Sequence, residues 1–167
     1  MNKRRSAAVA GFVILLLVVV WAQENVQHLF SAEELKAVVP AEFFFAGQKA
    51  PTQLRNATGF KTTDGKITQA ALVDASGYSS AIQEKYQGFL ITESKVNIGG
   101  SELAPGEYGF GFASGKFVVM NVANEDVLSV SYETDASLKR PVPLKMVEDG
   151  AGYKLYLGKK WVRVKVE

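Results

Sequence analysis

Gly106-Glu107-Tyr108-Gly109-Phe110-Gly111-Phe112-Ala113-Ser114-Gly115-Lys116-Phe117-Val118-Val119-Met120-Asn121-Val122 is the stretch on which the fold turns. Its side chains alternate with period two. Tyr108, Phe110 and Phe112 fall on one face of an extended chain, and Gly109, Gly111 and Ala113 on the other. One face therefore carries rings, while the other lets a backbone or a second sheet approach closely, or lets the strand bend. Ser114-Gly115 turns the chain, and residues 116–122 continue as an apolar run suited to a strand buried on both faces or lining a barrel. The segment predicts a β-hairpin at the centre of the core. Core packing is the ordinary role for such rings, and a ligand-stacking wall is the functional alternative.

The glycines of this hairpin invite comparison with a phosphate loop, and the comparison fails. A Walker loop needs Gly five residues before its Gly-Lys pair and Ser or Thr after it, but Phe110 and Phe117 hold those places. A dinucleotide fingerprint on Gly109 and Gly111 needs a third glycine where Ser114 stands, and no helix signal follows.

The same rhythm extends outward in both directions. Upstream, residues 42–47, 52–57, 67–73 and 88–94 read as strands, with Asp64-Gly65 as a tight hairpin turn in which both central residues take positive φ. Downstream come residues 126–132, 143–147, 153–157 and 160–166. Glu148-Asp149-Gly150-Ala151-Gly152 and Gly158-Lys159 supply turns between the last three. Many short strands with frequent turns predict a mainly β fold, an antiparallel barrel or sandwich, with residues 41–167 as a single β domain. One short helix precedes it, in the segment 23–40. Ser31 is its N-cap, Glu34 the capping-box partner, Phe30 and Leu35 a hydrophobic staple, and Pro40 its end.

Ahead of the helix, Lys3-Arg4-Arg5 and an apolar block from Ala7 to Ala22 form a basic n-region and an h-region, with Val20 and Ala22 as small residues before a cleavage site. Residues 1–22 are expected to be a secretory signal peptide. The alternative is an uncleaved N-terminal anchor through residues 7–22, short of the ~20 residues a spanning helix usually needs. Three of the 19 basic residues lie in this leader, which leaves 16 against 17 acidic ones and a net charge of −1. That balance gives no electrostatic footprint for nucleic acid. Six acids between Glu102 and Asp135 face Lys116 alone, whereas eight bases from Lys139 onward face three acids. These stretches are expected to pair as neighbouring strands or to form two oppositely signed faces.

Composition excludes much chemistry. The chain has no Cys and one His in 167 residues, so disulfides, Cys-ligated metal, thiol nucleophiles and two-histidine sites are absent; no metal or cofactor is expected. His28 stands near the N-terminus, away from any obvious serine and acid that would make a triad. Asp74, Glu84, Glu93 and Glu102 are the candidates for a carboxylate pair of the glycosidase kind, although spacing along strands does not show that any two converge.

Two further clusters carry binding chemistry. Asp74-Ala75-Ser76-Gly77-Tyr78-Ser79-Ser80, with Gln83, Lys85, Tyr86 and Gln87, offers hydroxyls, amides and two tyrosines to a sugar or other polar ligand. Its plainer role is a solvated loop or rim. Residues 77–87 fit either one helical turn capped by Ser80 and Gln83 or an extension of the next strand. At the C-terminus Val162, Val164 and Val166 share one face and Trp161, Arg163 and Lys165 the other. That pattern suits an edge strand guarded by charge, with contact to anionic lipid or polysaccharide as the functional alternative.

Several blocks carry a resemblance: Leu103-x-x-Gly106-x-Tyr108 with Phe110 and Phe112, Phe43-Phe44-Phe45-Ala46-Gly47-Gln48, Ser76-Gly77-Tyr78-Ser79-Ser80, Glu84-Lys85-Tyr86-Gln87 and Tyr153-Lys154-Leu155-Tyr156-Leu157-Gly158. The chain resembles a group of secreted β-rich proteins of Acidobacteria-type soil bacteria over most of the mature length. The resemblance implies export and a β-rich fold, and carries over no catalytic residue. The resulting expectation is an exported, periplasmic or extracellular, non-enzymatic domain that binds a small ligand or an envelope component. Tyr108, Phe110 and Phe112 would line its site and Tyr78, Ser80 and Tyr86 would edge the mouth. A small hydrolase using a carboxylate pair and a membrane-anchored structural or assembly protein are the alternatives.

Overall fold

A computed structural model describes residues 28–150 and 152–167, so the leader, its cleavage site and the anchor alternative lie outside the described residues. With strands numbered in chain order, the first sheet runs β1 (His28–Leu29), β3 (Gln48–Lys61), β4 (Ile67–Val73), β5 (Gly88–Thr92), β8 (Gly106–Ala113), β9 (Lys116–Met120) and β10 (Asp126–Ser131). A further strand, β2 (Glu42–Phe45), pairs with β3. The second sheet runs β12 (Val142–Glu148), β13 (Tyr153–Gly158), β14 (Lys160–Val166), β6 (Val96–Ile98) and β7 (Ser101–Leu103), and β11 (Glu133–Thr134) pairs with β14. All pairings are antiparallel, and the two sheets stack as a sandwich rather than closing into a barrel.

The predicted central hairpin is β8–β9, paired from Gly109↔Met120 to Ala113↔Lys116 around Ser114-Gly115. Its ring face points into the space between the sheets. There Phe110, Phe112, Phe117 and Val119 meet Leu144, Met146, Tyr153, Leu155, Val162 and Val164 of the second sheet. The other face of the first sheet is covered as well. Phe43 and Phe45 of β2, with Tyr78 and Tyr86, pack on Ala71, Phe89, Val118 and Met120. This outer layer explains why β9 is apolar on both sides. A strand between two cores has no solvent face on which to alternate.

The helix α1 (Ala32–Val38) forms as its caps dictate. Ser31 Oγ accepts from the Glu34 amide at 3.3 Å, and the Glu34 carboxylate accepts from the Ser31 amide at 2.8 Å, while Leu35 is buried. Three other sequence expectations need correction. The strand placed at 52–57 is one stretch of the fourteen-residue β3, which passes through Pro51: residues 48–51 pair with β2, and Thr52 and then, after a break in register, residues 57–61 pair with β4. Pro51 sits near that change of partner, where a missing amide does least harm. The β3–β4 turn is longer than two residues. Thr62 and Lys66 bond across it, and of Asp64-Gly65 only Gly65 has positive φ, at 88°. Finally, β14 is not an edge strand, because β13 flanks it on one side and β6 and β11 on the other.

The hairpin β6–β7 is absent from the sequence expectation. Three-residue strands carry too little alternation to register, and the signal that marks them is Gly99-Gly100, both left-handed at φ 56° and 95°.

Candidate functional site

The six residues nominated from sequence do not form one site: Tyr108, Phe110 and Phe112 belong to the core between the sheets, Tyr78 and Tyr86 to the outer core, and Ser80 to the surface. Phe110 is fully buried and Phe112 is 3% exposed. Their rings lie 5.5 Å and 4.9 Å from that of Phe117, inside the filled space between the sheets. Tyr108, on the same face, is half-buried and donates its hydroxyl to the Ala104 carbonyl at 3.0 Å. No binding wall exists there, because the second sheet supplies the atoms that a ligand would have met.

Tyr78 and Tyr86 belong to the outer core and not to a rim. Tyr86 stacks on Phe45 at 4.0 Å between ring centroids and meets Tyr78 edge-on at 5.2 Å. The Tyr78 hydroxyl lies 3.0 Å from the Phe45 carbonyl and 2.9 Å from that of Gln48, tying the 74–87 segment to the β2–β3 hairpin. The Tyr86 hydroxyl is buried with no hydrogen-bond partner within 3.5 Å; that burial, and then the nearby Tyr78 phenol, push its pKa far above the ordinary range. Ser80 alone is exposed, as the first residue of the four-residue helix α2 (Ser80–Gln83), whose N-cap is Ser79. Polar residues around a tyrosine on a presumed loop do not reveal that the ring folds inward. The Phe43-Phe44-Phe45 run that receives it lies over thirty residues away.

Three of the four carboxylate candidates have other employment, and the fourth, Glu84, is exposed at the C-cap of α2. Asp74 accepts from the Ser76 amide, Glu93 from the Ile67 amide at 2.7 Å, and Glu102 pairs with Lys95 at 2.8 Å. Among the described residues, every carboxylate with a displaced pKa is displaced downward: Glu34, Asp64, Asp74, Glu102 and Asp135. A general acid in glycoside hydrolysis requires the opposite displacement. His28 does meet a serine and an acid, but in an order that performs no proton relay. Its Nε2 lies 3.0 Å from Glu34 Oε1, and Ser31 Oγ donates to Glu34 Oε2 at 2.8 Å, so the carboxylate stands between hydroxyl and imidazole. A triad needs the imidazole in the middle. This exposed trio is helix capping.

The concave site lies on the outer face of the second sheet, where β14 changes partner from β11 to β6. Glu133 is opposite Trp161, Asn97 is opposite Lys165, and the Gly99 amide donates to the Arg163 carbonyl at 2.9 Å. Between the two short partners a notch of about 590 Å³ opens, lined by Trp161, Arg163 and Lys165 of β14 with Asn97, Ser131 and Glu133 around them. Its volume falls in the range of small-ligand sites. Alternation along β14 sends Val162 and Val164 into the core and the three large polar or aromatic side chains outward.

The notch is held firmly. On the β13 side, Lys154 Nζ sits 4.5 Å from the centroid of the Trp161 ring, and the Tyr156 ring lies 6.3 Å away. Tyr156 in turn donates its hydroxyl to Asp135 at 3.0 Å. Asp149 bridges Arg163 and Lys154 across the strands. Asn97 Oδ1 accepts from the Gly100 amide at 3.0 Å, fixing the turn that forms one wall. Sequence alternation found Trp161, Arg163 and Lys165 as one face. It missed Asn97, Ser131 and Glu133, which come from strands of two or three residues or from a strand end. The chain matches no protein-family model, no curated protein and no solved structure.

Proposed function

We propose that this protein is an exported, non-enzymatic binding domain of the cell envelope that meets its partner on the outer face of the second sheet, at the Trp161 notch. The observation that carries this reading is the contrast between the two aromatic faces. The Phe110 and Phe112 rings of β8 are consumed in the core, whereas Trp161 lines a concave surface of mixed polarity built on a central strand. Tryptophan beside arginine on such a surface is the composition of binding hot spots. Export is supported by the leader at residues 1–22 and by the resemblance to secreted bacterial β proteins. Among the described residues, the carboxyls with a displaced pKa are all displaced downward, which does not favour the hydrolase alternative.

The test is co-sedimentation of the full chain with isolated bacterial envelope material, wild type against Trp161→Ala. Retention lost in the variant, at an unchanged melting temperature, supports the reading. Equal retention of the two overturns it. N-terminal sequencing of the exported protein is expected to begin at Gln23, and a product that keeps residues 1–22 would instead favour the anchored alternative.

A further inference from the structure

We propose that the notch beside β14 is a saccharide subsite, in which Trp161 is the stacking platform for one sugar ring and Asn97, Ser131, Glu133, Arg163 and Lys165 serve its hydroxyls. The inference rests on the binding reading above and adds the class of ligand.

A sugar ring presents an apolar C–H face and a rim of hydroxyls that both donate and accept. A site for it must therefore join a flat aromatic surface to a mixture of donors and acceptors, and this notch has both. Arg163 and Lys165 donate and Glu133 accepts; Asn97, held by the Gly100 amide and Glu167, and Ser131, which accepts from Lys116, add further polar edges. The platform is pre-positioned, since Lys154 and Tyr156 brace the Trp161 ring from the β13 side while the notch lies on the β6 and β11 side. A braced ring loses little freedom when a ligand arrives, which favours binding.

The charge pattern decides against other ligands. A phosphate polymer or an anionic lipid surface requires an excess of cations. Here Glu133 and Glu167 line the same notch as Arg163 and Lys165, and Asp149 already pairs with Arg163. An apolar ligand would meet a lining of which about half is polar, including the charged ends of Arg163, Lys165, Glu133 and Glu167. What remains is an uncharged or mixed polar molecule with one flat apolar face. Among the described residues Lys165 takes part in no ion pair within 4.0 Å, which leaves it available to a sugar hydroxyl or to the carboxylate of a uronic acid.

The experiment is affinity electrophoresis of the full chain in native gels containing dextran, a galactomannan or polygalacturonate. At least one polysaccharide is expected to retard the wild type, with affinity reduced about tenfold or more in Trp161→Ala and partly kept in Trp161→Phe. Retardation by polygalacturonate alone, removed by Lys165→Ala, assigns an acidic sugar; retardation by the neutral polymers assigns a neutral one. Ser131→Ala, at an exposed small side chain, serves as the second variant should Trp161→Ala fail to fold. Retardation that both variants keep in full places the sugar elsewhere and overturns the proposal. So does a wild type that no polysaccharide retards. In that last case, continued loss of envelope retention in Trp161→Ala leaves the binding face standing with a ligand of another class, whereas equal retention removes the binding reading too.

Discussion

The ring of Phe60 in β3 stacks on that of Tyr153 in β13, with centroids 4.4 Å apart and planes inclined by 16°, across the space between the two sheets. Phe60 is fully buried, and Tyr153 is 2% exposed. Phe60→Ala removes one half of this contact and opens a void that neighbours on two rigid sheets fill only in part. The expected cost is about 3–5 kcal/mol, read as a drop in the denaturant midpoint. Phe110→Ala should behave alike. In both variants the protein that stays folded should bind at the Trp161 notch as the wild type does.

That last point marks where the sequence was legible. Alternation at 106–122 located the central hairpin and which side of it carried the rings, because period two is a local property. It did not say whether a second sheet or a ligand would cover those rings, since the covering residues, Leu144 to Val164, come later in the chain and closing a sandwich is a long-range event. Tyr78 and Tyr86 failed for the same reason: hydroxyls beside serines and glutamines suggest a wet loop, and only the distant β2 strand turns them inward. The capping box at Ser31 and Glu34 was readable in full, because all of its atoms lie within four residues.

Gly111 shows how close an approach the small face of β8 permits. A Cβ at this position would stand 1.9 Å from the backbone oxygen of Lys85 and 2.8 Å from its carbonyl carbon. Backbone cannot rotate aside as a flexible side chain does. Gly111→Ala therefore forces the 74–87 segment off the sheet. The loss is expected at or above the upper end of the ~1–3 kcal/mol usual for overpacking, measured by thermal or chemical unfolding. Gly100→Ala is the contrast: nothing lies within 4 Å of its Cβ, and its cost arises from the left-handed backbone alone.

Acid acts on the start of α1 through the Glu34 carboxylate. The Ser31 amide, then the Ser31 hydroxyl and His28, hold the Glu34 carboxyl at about 2, below its ordinary 4.5. A depressed carboxylate contributes stability that is fully present above its unfolded pKa and is lost as pH falls through the folded value. The melting temperature of the wild type should therefore exceed that of Glu34→Gln at pH 5, and the difference should shrink from pH 4.5 and vanish near pH 2. A difference that stays constant over that range would show the carboxylate to be uncoupled from folding. Ser31→Ala, which removes the cap itself, should cost about 1 kcal/mol at neutral pH.

The outer core pairs two phenols of opposite value. The Tyr78 hydroxyl reaches the backbone carbonyls of Phe45 and Gln48, and so joins the polar segment to the hairpin that covers it. Tyr86, 1% exposed and stacked on Phe45, buries a hydroxyl that has only the Tyr78 phenol near it and no hydrogen-bond partner within 3.5 Å. A buried hydroxyl without a hydrogen bond costs free energy, and its removal leaves the packed ring in place. Tyr86→Phe is thus expected to raise stability by about 1 kcal/mol, and Tyr78→Phe to lower it by a similar amount. Urea unfolding of the two variants, side by side, should give midpoints on opposite sides of the wild type. Equal losses in both would mean that the Tyr86 hydroxyl is bonded in solution, and the two rings would then be equivalent anchors of one layer.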